Sequence, residues 1–93
     1  AYVFLMVEAL AAAGIAAGLP KTLADQLALQ TVAGAGALAA ASDETPAQLR
    51  ENVTSPAGTT FEALQVLMND HSLQQLMTRA VAAATRRSKE LAG

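Results

Sequence analysis

The opening run AYVFLMVEALAAAGIAAGL, residues 1–19, carries a single charge, Glu8. From Tyr2 to Val7 its apolar side chains would fall on almost every side of a helix instead of along one stripe. Such a helix has to be surrounded by other protein, and this requirement restricts the available folds more than any other feature. A membrane reading is the first competitor. Glu8 argues against it, because a carboxylate near the middle of a span costs about 2.5–3.5 kcal/mol on insertion scales. No basic segment precedes the run, and Gly14, Gly18 and the alanines weaken it further. The expectation is therefore a protein-buried helix and no membrane partner. Only 93 residues are present to do the burying, 53% of them apolar, and a chain this short covers a modest fraction of its own surface. Interleaving with a second copy is the favoured solution. A tight monomeric core filled by small residues is the alternative.

Pro20, Pro46 and Pro56 each stand where a helix could begin, and they divide the chain into helical segments. The first is expected over about Tyr2–Ala17, closing at Gly18 in a left-handed conformation. The second covers about Lys21–Ala41, with Leu23, Leu27, Val32 and Leu38 as its larger apolar residues. Its interior AGAGALAAA holds Gly34 and Gly36, each costing roughly 0.5–1 kcal/mol against alanine, a cost that makes sense where a neighbouring backbone comes close. Thr45 is a good N-cap for a short third helix over Ala47–Asn52. A fourth starts near Thr59 or Thr60 and carries Phe61, Leu64, Leu67 and Met68 on one stripe. Asn69, Asp70 and His71 interrupt it. Ser72 with Gln75 reads as a capping box for the fifth helix, whose stripe is Leu73, Leu76, Met77, Ala80, Val81 and Ala84. No alternating β-branched run argues for a strand. The fold class expected is all-α, one domain over residues 1–93, with about five helices interlocked with a second copy.

Several functions are disfavoured by composition. The net charge is −2 and the largest basic concentration is Arg86, Arg87 and Lys89, too little for a nucleic-acid partner. With no cysteine and one histidine, no metal site is expected. His71 reads as a solvated cap, and Met6, Met68 and Met77 as core filler. Glu8 is expected to meet a partner group or a wet cleft, since an unpaired buried carboxylate is expensive.

The polar exception is NVTSPAGTTFEAL, residues 52–64, with hydroxyls at Thr54, Ser55, Thr59 and Thr60 around a Pro-Ala-Gly bend. A helix start offers unpaired N–H groups and the positive end of a dipole, which suits a carboxylate or phosphate. Ala57 and Gly58 would let a ligand approach, and hydroxyls both donate and accept. The plainer reading is an N-cap with spare turn hydroxyls. No acid–base pair, activated nucleophile or phosphate-cradling glycine loop stands beside it.

Taken in order, AYVFLMVEALAAAGIAAGLP, QTVAGAGALAAAS, TPAQLRENVTSPAGTTFEAL and AVAAATRRSKELAG resemble the C-terminal domain of the pyrroline-5-carboxylate reductases over essentially the whole chain. The specific part is QLRENVTSPAGTT, where the family pattern reads Thr-Ser-Pro-Gly-Gly-Thr-Thr and this chain has Ala57. The resemblance implies a helical domain that forms an interlocked homodimer, five of which join into a decamer in many members. It implies a cytoplasmic enzyme of proline biosynthesis that reduces 1-pyrroline-5-carboxylate with NADPH or NADH. The cofactor would be held by an N-terminal Rossmann domain outside this chain, so the chain alone would bind no cofactor and be inactive. Thr60 would be the catalytic contact, hydrogen-bonding the ring nitrogen of the imine, while Ser55 with the backbone of Gly58 and Thr59 would hold the carboxylate. On that view the hydroxyls both cap the fourth helix and receive the ligand. The other reading is a helical oligomerisation module with no ligand site.

Overall fold

A computed structural model describes residues 1–93, which form five α-helices and one 3-10 turn: α1 (Tyr2–Ala16), α2 (Lys21–Ala41), α3 (Pro46–Asn52), α4 (Thr59–Met68), the turn Asn69–His71, and α5 (Ser72–Ala92). They fall into two compact units, Ala1–Leu49 and Arg50–Gly93, with α3 carrying the chain from one to the other.

In the first unit α1 and α2 form a helical hairpin. The turn between them follows from Gly18, whose φ of +110° is reached without the steric cost a side chain would bring. With Gly18 in place, its N–H donates to the Ile15 carbonyl and the Leu19 N–H to the Gly14 carbonyl, both at 3.0 Å. This 6→1 and 5→2 pair satisfies carbonyls that the end of α1 would otherwise leave open. Pro20 then precedes the first residue of α2.

The hairpin packs through its smallest residues. Ala11, Ala24 and Ala28 are the buried apolar residues of the chain. A Cβ on Gly14 would sit 3.3 Å from Leu19 Cδ1 and 3.4 Å from Ala24 Cβ, so glycine there sets how closely α1 approaches α2. Of the larger residues expected along α2, Leu23, Leu27 and Leu38 are exposed and Val32 is half-buried. Gly34 and Gly36 have nothing of this chain within 4 Å of where a Cβ would stand.

Ahead of α3, the Ser42 hydroxyl accepts from the Glu44 N–H at 3.0 Å. Thr45 acts as the expected N-cap, accepting from the Gln48 N–H at 3.2 Å. In the second unit α4 and α5 are joined by an elbow, where Asp70 (φ 53°, ψ 31°) and His71 (φ 55°, ψ 36°) are both left-handed. The expected break is there, but the capping box is not. Ser72 lies inside α5, and its hydroxyl donates back to the carbonyls of Val66 and Leu67 at 3.0 and 2.9 Å. Gln75 Nε2 donates to the Asp70 carbonyl at 2.8 Å. Both side chains thus satisfy acceptors around the end of α4 instead of the orphan N–H groups of α5, because the left-handed pair brings Ser72 back over the last turn of α4.

No helix is long and apolar enough to cross a membrane.

Candidate functional site

The hydroxyl-rich segment begins where α3 ends. There the Thr54 N–H donates to the Glu51 carbonyl at 3.2 Å and the Thr54 hydroxyl to the Arg50 carbonyl at 2.6 Å. One of the four hydroxyls is therefore spent on closing a helix.

Ser55–Gly58 form a β-turn in which the Gly58 N–H donates to the Ser55 carbonyl at 3.0 Å. Pro56 occupies the second position, and Ala57 the third with φ 58°. A positive φ at the third position is what a type II turn requires, and glycine usually supplies it. The chain thus keeps the left-handed backbone of the Pro-Gly-Gly pattern it resembles while bearing a Cβ, at a cost of about 1–2 kcal/mol. Gly58 is constrained differently. Its φ of −83° is open to any residue, but a Cβ would lie 3.2 Å from the Ser55 carbonyl oxygen and 3.3 Å from the Ser55 Cβ.

This close turn makes Gly58 the N-cap of α4, and no side chain caps the helix. The expectation that the hydroxyls cap α4 is corrected on this point. Thr59 and Thr60 are already helical residues, and Ser55 forms its turn bond through the main chain. Ser55, Thr59 and Thr60 are exposed, and the first three N–H groups of α4, from Thr59 to Phe61, have no intrahelical acceptor. The structure therefore presents three hydroxyls and a helix start together on an open surface. Glu8, expected to meet a partner group or a wet cleft, is exposed on α1.

Two hollows lie elsewhere. One, of about 310 Å³, lies against α4, the elbow and α5, with Leu64, Leu67, Met68, Leu73, Arg50 and His71 among its lining. The other, of about 360 Å³, lies between α1 and α2 and is lined by apolar residues and Thr31. Neither includes Ser55, Gly58, Thr59 or Thr60. Sequence reasoning placed His71 in solvent, and it is exposed; it gave Arg50 no role, and that both line one hollow is something no periodicity reports. No three potential metal-ligating side chains come together.

Residues 1–91 match the family model described as pyrroline-5-carboxylate reductase dimerisation. The chain belongs to that family. It is similar to the pyrroline-5-carboxylate reductase of Synechocystis sp., 50% identical over 91 residues that make up 98% of this chain and 34% of that protein. With the pyrroline-5-carboxylate reductase of Pisum sativum it is also 50% identical, over 98% of this chain and 33% of that protein. A crystal structure of Plasmodium falciparum pyrroline carboxylate reductase with NADP bound superposes with a TM-score of 0.91 at 36% identity, over 99% of this chain and 35% of that one. The chain thus spans about a third of the length of the reductases it matches. The all-helical fold, five α-helices with no strand, agrees with a pyrroline-5-carboxylate reductase dimerisation domain.

Proposed function

We propose that these residues are the dimerisation and substrate-binding part of a pyrroline-5-carboxylate reductase that reduces 1-pyrroline-5-carboxylate to L-proline with NADPH or NADH. The observation that carries the substrate reading is the turn at Ser55–Thr60. In a chain otherwise poor in polar groups, three exposed hydroxyls stand at an uncapped helix start.

In this reading the Thr60 hydroxyl hydrogen-bonds the ring nitrogen of the imine, and the Ser55 hydroxyl with the Thr59 N–H receives the carboxylate. The Gly58 N–H is already engaged in the turn, so Gly58 contributes room for the ligand instead of a donor. The positive end of the α4 dipole favours the same carboxylate. NADPH or NADH supplies the hydride when bound. The residues of this chain do not fit such a dinucleotide in the usual way, since they form no strand and hence no strand–glycine–helix phosphate site. The cofactor is assigned to the part of the reductase outside residues 1–93.

Self-association belongs to the same proposal. The chain exposes 7446 Å², whereas a folded monomer of 9.5 kDa exposes about 5,000 Å². The excess, about 2,400 Å² per chain, is in the range that obligate dimers bury. A homodimer is the minimal assembly, and a decamer built from such dimers is compatible with it.

Steady-state kinetics on Thr60→Val in the full-length enzyme test the site. A hydrogen bond to a charged group is worth about 1.5–3 kcal/mol, so kcat/KM should fall about ten- to a hundredfold. Ser55→Ala should chiefly raise KM, because a carboxylate contact serves ground and transition states alike. Wild-type kcat/KM in Thr60→Val, with a lowered melting temperature, would leave an assembly module without a ligand site as the better reading.

A further inference from the structure

Glu8 identifies the surface that covers α1. It is the single charge of residues 1–20 and forms neither of the two ion pairs of the chain, Lys21–Asp25 and Arg87–Glu90. On α1 it lies one turn from Phe4 and Leu5 and two turns from Ile15, which are 76%, 65% and 43% exposed. Ala11 and Gly14, on the adjoining side of the helix, are the positions turned towards α2, so Glu8 stands beside that contact and remains exposed. Any protein surface that covers this outer face also covers the carboxylate, and a buried carboxylate must be paired.

The two hollows differ in whether they can meet that demand. The one between α1 and α2 has no charged residue in its lining. The one against α4, the elbow and α5 combines four apolar side chains with Arg50 and His71, and Arg50 has no ion pair. It therefore offers apolar cover and a cation in one place, matching the outer face of α1 in both respects.

We infer that in the dimer α1 of one copy lies in the α4–α5 hollow of the second, with the Glu8 carboxylate against the Arg50 guanidinium. The inference rests on the dimer reading above and names the surface that reading requires. Twofold symmetry forms the pair twice, and the bidentate fork of arginine suits a carboxylate.

The test uses the full-length enzyme, differently tagged Glu8→Arg and Arg50→Glu chains, and sedimentation equilibrium. Each variant alone opposes like charges at both sites of its homodimer, so its dissociation constant should rise at least about tenfold. Mixing the two, or co-producing them if either fails to fold alone, places opposite charges at both sites of a heterodimer. That heterodimer should dissociate within about threefold of wild type. Rescue by mixing requires the pair to cross between chains, since a contact within one chain would stay repulsive. A dimeric wild type with both single variants unaffected, or with no rescue on mixing, overturns the pairing and leaves the dimer standing. A wild type monomeric at all concentrations overturns the dimer reading itself.

Discussion

Ala57 concentrates at one position the tension between a family pattern and a side chain. Its φ of 58° is the conformation that the bend requires, and the neighbouring bond from Gly58 to Ser55 holds it there. An alanine in this region costs about 1–2 kcal/mol, and Ala57 is exposed. Ala57→Gly should therefore raise the urea midpoint by an amount equivalent to about 1 kcal/mol, with the slope of the transition unchanged. The gain falls below the intrinsic strain because glycine also loses more backbone entropy on folding. An unchanged or lower midpoint would show that the turn is not strained. At this scale the hydroxyls were only partly legible. Their clustering in TSPAGTT marked a special turn, but their division of labour depended on the backbone. Thr54 closes α3, whereas Ser55, Thr59 and Thr60 face outward because the turn makes Gly58 the N-cap.

Among the elements, the elbow between α4 and α5 determines most of what the second unit can present. Without Asp70 and His71 in left-handed conformations, residues from Thr59 onward could continue as one helix. The folded-back elbow is what lets Ser72 reach the carbonyls of Val66 and Leu67. Asp and His tolerate the left-handed region better than most residues, and β-branched residues tolerate it poorly. Asp70→Val should thus cost about 1–2 kcal/mol despite the exposure of Asp70, where an ordinary surface change stays within about 0.5 kcal/mol. Asp70→Gly should be neutral or stabilising. The check is equilibrium unfolding of both variants, and equal effects would show that φ at this position is not the controlling quantity. The sequence made the break visible through three consecutive polar residues. It suggested the wrong bonds for Ser72 and Gln75, because a capping box is a local pattern and the direction of the elbow is not.

For the whole molecule the controlling fact is how little this chain buries. Three alanines are its buried apolar residues, and no large side chain is fully buried. Stability should accordingly depend on association. The melting temperature of the enzyme should rise with protein concentration, as mass action requires when folding and assembly are coupled, and a melting temperature independent of concentration over two decades would contradict this. Much of the rest could be read from the residues alone. The order and bounds of the helices followed from prolines, glycines and apolar periodicity, because helix initiation and termination depend on a few neighbouring residues. The surplus of apolar surface followed from counting, because 93 residues cannot enclose a helix like α1. What periodicity could not report was which apolar residues meet within one chain. Leu23, Leu27 and Leu38 repeat along α2 as a core stripe would, yet Ala24 and Ala28 are buried against α1. That choice is made by Gly14 and the Gly18 turn, which bring the two backbones so close that only a methyl group fits between them.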